Sequence, residues 1–219
     1  MTAPGDLPLD DLRLALADEL AAAAAFDGWT PAAADAAGAA LGVVPELARA
    51  AFAGGPMDMI AAWIASIDAE MARELPVATL AALPIRERIR RLVLFRLDAV
   101  AGREEALRRA LAIMAMPQNA ARAVRLGWRS ADAMWRLAGD TASDFNHYTK
   151  RATLAGIYAA TLAVFVDDKS EGKAETRAFL DRRIAGVMRF EKAKAQWLRP
   201  EAERFSLVRL AGRLRYPAA

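Results

Sequence analysis

The sequence predicts an all-α protein. A small helix-turn-helix-like unit of three helices covers residues 1–55, a larger helical domain covers 56–192, and a basic amphipathic helix covers 193–219. Three observations lead there. Apolar residues make up 55% of the 219-residue chain, with alanine abundant and β-branched runs scarce, which favours helix nearly everywhere. Apolar positions recur at helical spacing from Leu12 onward. Turn signals separate those stretches: Asp27-Gly28, Leu41-Gly42, Gly54-Gly55-Pro56, Pro76 and Pro84. The length suits one good core, or a small and a larger helical domain.

Composition also excludes chemistry. The chain has no cysteine, so disulfides, thiolate metal sites and cysteine nucleophiles are ruled out. Its single histidine, His147, cannot supply the two Glu-x-x-His pairs of a di-iron bundle or the histidines of a zinc hydrolase. Next to Asp144 at a helix start it makes no triad, and it reads as a surface or partner-contact residue. No catalytic residue, metal or cofactor is expected. The start, MTAPGDLPLDDL, has neither a signal peptide's basic and apolar regions nor an arginine-rich transit pattern. The longest uncharged run, residues 152–166, is short of the ~20 needed to span a bilayer. A soluble, cytoplasmic protein is expected.

In chain order, Leu12, Leu16 and Leu20 behind Asp10-Asp11 predict a first helix over residues 10–26. Thr30-Pro31 is a cap followed by proline at the first helical position, giving a helix over 32–40. Pro45 opens another over 45–53. Two short helices around a glycine turn, after a longer one, have helix-turn-helix spacing. DNA binding needs Lys or Arg for the phosphates, yet residues 31–55 hold one basic residue, Arg49, against Asp35 and Glu46. The second short helix, PELARAAFA, carries no Asn, Gln, Lys, Ser or Thr for base edges. The shape is expected without DNA binding.

Helices are predicted over 57–75, with Ile60, Trp63, Ile64, Ile67 and Met71 inward, over the short turn 79–83, and over 85–101. In the last, Ile85, Ile89, Leu92, Val93, Leu97 and Val100 share a face, with Leu94 close by and Arg86, Arg90 and Arg91 on other faces. A helix over 104–116 ends in Ile113-Met114-Ala115-Met116. Met114 and Met116 suit the adaptable wall of a lipid site or ordinary gap-filling in a core. Residues 118–126 lead into the densest stretch, GWRSADAMWRLAGDTASDFNHYTKR at 127–151.

That stretch mixes two tryptophans, turn residues and charges. Ser130 is placed to cap a helix ending at Gly139, and Thr141 with Asp144 has capping-box spacing for a new one to about residue 166. Phe145, Tyr148, Ala152, Ala155, Ala159, Leu162 and Val166 form one stripe of it, and Leu154, Ile157, Tyr158, Thr161 and Phe165 cover the other side. Such a helix, apolar all round, reads as central. Its small residues fit either a closely packed neighbour or a cavity alongside. A further helix is predicted over 176–190. From Arg182 to Ala219 there are ten Lys or Arg against three Glu, a net of +7, while the whole chain is +3. There Leu207, Leu210 and Leu214 share a face opposite Arg209 and Arg213, the pattern of a membrane-surface helix or of a docked terminal one.

The run GW…D.MW..AGD..SDFN.YTKRA.L…Y resembles the coenzyme Q (ubiquinone) biosynthesis protein nine family. Gly127, Trp128, Asp132, Met134, Trp135, Ala138, Gly139, Asp140, Asp144, Phe145, Asn146, Tyr148, Thr149, Arg151, Leu154 and Tyr158 fall in step, as does FLDRRI at 179–184. His147 departs from it, standing where relatives often carry tryptophan. The resemblance implies a TetR-like fold and a non-catalytic, lipid-binding accessory protein of ubiquinone synthesis. It implies a polyprenylated quinone or other lipid as ligand, with Leu94, Met114, Met116, Ile157, Tyr158, Thr161 and Phe165 as expected contacts. The implied partner is a demethoxyubiquinone hydroxylase, met through Asp132, Met134, His147 and Tyr148. It further implies a homodimer seamed by the last two helices of the larger domain, and peripheral membrane association through Leu207, Leu210, Leu214, Arg209 and Arg213. The rival from another class is a ligand-responsive TetR-type regulator.

Overall fold

A computed structural model of the chain describes residues 4–141 and 145–197. Ten α-helices occur among them: α1 Leu9–Asp27, α2 Pro31–Ala40, α3 Pro45–Ala51, α4 Pro56–Glu74, α5 Val77–Leu80, α6 Ile85–Ala99, α7 Glu104–Met114, α8 Ala120–Leu137, α9 Phe145–Phe165 and α10 Ala174–Trp197. No strand is present among the described residues, and no single helix there is long and apolar enough to cross a membrane. The chain divides into two compact units, Met1–Asp181 and Arg182–Ala219, with α10 running from the first into the second.

In the first unit α1 buries Leu12, Leu16 and Leu20 against α2, α4 and α7. It ends at Gly28, whose φ of 70° lies in the left-handed region that glycine enters without strain. Thr30 precedes α2 and Pro31 takes its first position, but the Thr30 hydroxyl donates to Asp27 O at 3.1 Å instead of capping α2. The α2–α3 pair is close-packed at Gly38, where a Cβ would sit 2.9 Å from that of Ala48. Arg49 donates to both oxygens of Asp35, at 2.7 and 2.5 Å. The sole basic residue of residues 31–55 is therefore already engaged by a carboxylate. Trp29 ties this three-helix region to the helices after it: its Nε1 donates to Ala106 O at 3.1 Å, and its ring lies 5.4 Å from that of Trp63.

Two expectations about the middle of the chain are corrected. Ser130 caps nothing, because α8 runs unbroken from Ala120 to Leu137 and Ser130 is buried inside it. Its left-handed stop does fall at Gly139, φ 85°, as the sequence indicates. Nor is α9 buried all round. Leu154, Tyr158, Leu162 and Phe165 are buried, while Ala152, Gly156, Ala159, Ala160 and Ala163 are exposed. Alanine and glycine read as apolar but carry so little side-chain area that leaving them in water costs little. The proposed Thr141–Asp144 capping box falls partly outside the described residues, as do Leu207, Arg209, Leu210, Arg213 and Leu214.

The turn into α10 is organised by Asp168. One carboxylate oxygen accepts from the Ser170 amide (2.8 Å) and hydroxyl (2.5 Å), the other from the Thr176 amide (2.8 Å) and hydroxyl (2.6 Å). Burial works against the charge, but these hydrogen bonds from Ser170 and Thr176 outweigh it and hold the carboxyl well below the ordinary carboxylate range. Asp168→Ala should cost on the order of 1–2 kcal/mol in urea denaturation at pH 7. A depressed folded-state pKa gives stability that is complete above the unfolded value of about 3.9 and is lost as pH falls below it. The difference between wild type and Asp168→Ala should therefore shrink below about pH 4; a difference constant down to pH 2 would contradict this.

Candidate functional site

Five helices of the first unit enclose a cavity of about 570 Å³. Its wall comes from Ile60, Trp63, Ile64 and Ile67 on α4, Arg96 on α6 with Val100 just beyond, and Leu107, Ala110, Leu111 and Met114 on α7. Ala123, Val124, Leu126, Gly127, Trp128 and Ser130 on α8 and Ala152, Ala155, Tyr158, Ala159 and Leu162 on α9 complete it. Val124, at 71% exposure, and the exposed Ala152 and Ala159 place the wall's contact with solvent between α8 and α9.

Among the described residues one charged group interrupts this apolar lining. Arg96, only 2% exposed, donates from Nη1 to Asp68 of α4, and the Ser130 hydroxyl of α8 donates to the other Asp68 oxygen at 3.1 Å. The guanidinium carbon lies 4.9 Å from the ring centre of Tyr158 on α9. Four helices thus meet at a single ion pair. Burial disfavours the Arg96 charge, but Tyr158 and Asp68 outweigh it and hold its pKa above the usual arginine value. Burial pushes the Asp68 carboxyl up, and Arg96 and Ser130 draw it back only in part. The Nε–H of Arg96 is buried and has no acceptor among the described residues.

Beside the cavity is the corner between α8 and α9, built on a second buried guanidinium. Arg151, also 2% exposed, donates from Nε to Asp132 (2.6 Å) and from Nη1 to Asp140 (3.1 Å) and His147 O (3.1 Å). Lys150 pairs with the other Asp140 oxygen at 2.7 Å, and Arg136 with the other Asp132 oxygen at 2.8 Å. Trp135 Nε1 donates to Lys150 O at 3.0 Å. Above this network Trp128, His147 and Tyr148 form an aromatic group, with ring centres 6.5 Å (Trp128–His147), 6.1 Å (Trp128–Tyr148) and 5.1 Å (His147–Tyr148) apart. Trp128 belongs to both the corner and the cavity wall.

Of the seven expected lipid contacts, Met114 and Tyr158 line the cavity. Leu94, Met116, Ile157, Thr161 and Phe165 do not. On α9 the cavity face is Ala152, Ala155, Ala159 and Leu162 with Tyr158, whereas 157, 161 and 165 lie a step round the helix. Phe165 is core beneath Lys173, whose Nζ is 4.5 Å from its ring centre, and the buried Thr161 hydroxyl donates to Ile157 O. Met116 lies beyond the end of α7 and is exposed, and Leu94 is half-buried outside the lining. Of the four expected partner contacts, Tyr148 is 61% exposed and His147 partly so, while the half-buried Asp132 is bound to two arginines. Met134 is corrected: at 0% exposure it is core, because it continues the buried stripe Leu126, Ser130, Met134 of α8.

Arg96, Asp68 and Trp128 were not among the expected site residues. A signal for the first two existed. Arg96 extends the stripe Ile89, Leu92, Val93, Leu97, and Asp68 continues Ile60, Ile64, Ile67, so each places a charge where the helical period calls for an apolar residue.

An all-α chain with a helix-turn-helix-like start and an apolar cavity between its later helices has the TetR-like architecture. It is similar to the TetR transcriptional regulator from Nitrosomonas europaea ATCC 19718, with a TM-score of 0.64 and 25% identity over 81% of this chain and 98% of that one. More narrowly, residues 120–191 match the COQ9 family model. Ubiquinone biosynthesis protein COQ9, mitochondrial, of Rattus norvegicus is 46% identical over 80 residues, 36% of this chain and 26% of that protein. The Homo sapiens protein of that name is 41% identical over 80 residues, 36% and 25% of the two chains, and the Drosophila melanogaster one 34% over 87 residues, 40% and 27%. The matches thus span about a quarter of those relatives' length. The segment contains α8, α9, the aromatic corner and two cavity walls, but neither Arg96 nor Asp68.

The burial pattern predicts opposite outcomes for two corner residues. Met134→Ala should lower unfolding free energy by about 2–5 kcal/mol. Tyr148→Ala should change it by less than about 1 kcal/mol. Equal losses in urea denaturation would contradict the assignment of one to core and the other to surface.

Proposed function

We propose that this chain is a non-catalytic lipid-binding accessory protein of ubiquinone biosynthesis, which takes up a polyprenylated quinone intermediate and presents it to a ring hydroxylase. The observation that carries the reading is the apolar cavity, two of whose walls lie in the segment similar to COQ9. Its volume falls in the roughly 300–1,000 Å³ range of small-molecule sites. A ring and the first part of an isoprenoid tail suit that space, and a longer tail would leave between α8 and α9 past the small residues of α9. Each buried CH₂ favours uptake by about 0.8 kcal/mol. The exposed Tyr148 and the partly exposed His147, clustered with Trp128, are the proposed contact with the hydroxylase, held in place by the Arg151 network. Peripheral membrane association is proposed from the sequence pattern of Leu207, Leu210 and Leu214 with Arg209 and Arg213, and a homodimer from the uncovered small-residue face of α9.

A second reading, a ligand-responsive transcriptional regulator, is favoured by the likeness to the Nitrosomonas europaea protein. The pairing of Arg49 with Asp35 disfavours it, since no other basic residue stands between 31 and 55 to meet phosphates.

Mass spectrometry of organic extracts of the purified protein separates the two. An isoprenoid quinone or quinone precursor near one per chain is expected, with no sequence-selective DNA binding at physiological salt. A lipid-free protein that selects an operator sequence would overturn the proposal.

A further inference from the structure

The two buried arginines of the first unit differ in one respect. Arg151 holds three acceptors, from Asp132, Asp140 and His147. Arg96 has Asp68 on Nη1 and the Tyr158 ring beside it, yet its Nε–H meets no acceptor among the described residues, and Arg96 is the one charged residue they place on the cavity wall. An unmet donor on a buried charged group is costly, and proteins rarely leave one without a use. The rest of the described wall is hydrocarbon, apart from the Ser130 and Tyr158 hydroxyls and the Trp indoles, so an acceptor for the Nε–H must be a water or a ligand atom that enters the cavity beside Arg96.

We propose that Arg96 recognises the polar head of the cavity's ligand, donating from its Nε–H to an uncharged oxygen such as the carbonyl of a quinone or the ether or phenol oxygen of its precursor. This rests on the reading of the cavity as a lipid site. An uncharged head follows from charge. Asp68 already balances Arg96, no other charged side chain among the described residues lines the cavity, and a carboxylate head would bring a second negative charge beside Asp68 in a medium of low dielectric. The hydrocarbon walls take the tail, and the ion pair sets which end enters first. Because Arg96 and Asp68 lie outside residues 120–191, this selectivity belongs to the part of the chain that the COQ9 match does not reach.

The test compares three ligands with the same ten-carbon tail: a decyl dimethoxymethylbenzoquinone, decylbenzene and 4-decylbenzoate. Affinities are read by displacement of one fluorescent apolar probe from the full-length protein. Arg96→Met removes the donor, and because it leaves Asp68 buried without its counter-ion, the double variant Arg96→Met/Asp68→Leu serves beside it, removing both charges together. The ratio of quinone to decylbenzene affinity should fall roughly tenfold in the variants, as expected for loss of a hydrogen bond from a charged donor. The benzoate should bind wild type no better than decylbenzene, and the Arg96 Nε–H resonance should shift when the quinone is added. An unchanged ratio in the double variant, or a preference of wild type for the benzoate, overturns the proposal while leaving the lipid cavity standing. Failure of all three ligands to displace the probe overturns the lipid cavity itself, and this inference with it.

Discussion

A guanidinium removed from water must be given a counter-charge and acceptors, and the architecture around the cavity follows from doing this twice. Arg96 fixes α6 to α4 through Asp68, draws in α8 through Ser130, and lies against Tyr158 of α9. Arg151 fixes α9 to the end of α8 through Asp132 and to the connecting corner through Asp140. Breaking such a pair by removing one partner costs about 3–5 kcal/mol, so these contacts hold the helices to one arrangement even where apolar packing is thin. Packing is thin on α9, whose wall is largely alanine. These buried ion pairs therefore fix how the helices around the cavity are placed on one another.

The same contacts also bring the cavity wall and the exposed corner together at one residue, Trp128. Arg151 seats the first turns of α9, which carry His147 and Tyr148, against Trp128 of α8. Trp128 in turn is wall. A molecule lying along α8 would touch the inner side of an indole whose neighbours are open to a protein partner.

Much of the fold was legible in the sequence because it is written in local signals. Gly28 and Gly139 stop helices through their left-handed backbone, Pro31, Pro45 and Pro56 start them, and apolar spacing supplies the rest. What misled was composition read without partners. Alanine and glycine on α9 look like core in a sequence, yet whether they are covered depends on a neighbour that no local pattern reveals. Ser130 looked like a cap for a similar reason: serine before an apolar run is ambiguous until its hydroxyl is seen bonded to Asp68 across 62 positions of sequence. Arg96 was hidden among the five arginines from Arg86 to Arg96, and only its phase on the helix distinguishes it from those facing solvent. The position of Met134 was inherited from a resemblance, which transfers a residue's identity more safely than its exposure.

The central claim is that the space between α4, α6, α7, α8 and α9 holds an isoprenoid lipid. Photo-crosslinking tests it most directly, using a quinone with a diazirine at the start of its tail and peptide mass spectrometry to locate the label. Labels are predicted on the cavity wall, at Ile64, Leu107, Trp128, Ala155 or Leu162, and should disappear when unlabelled quinone is added. Labels scattered over exposed side chains, or undiminished by competitor, would contradict it.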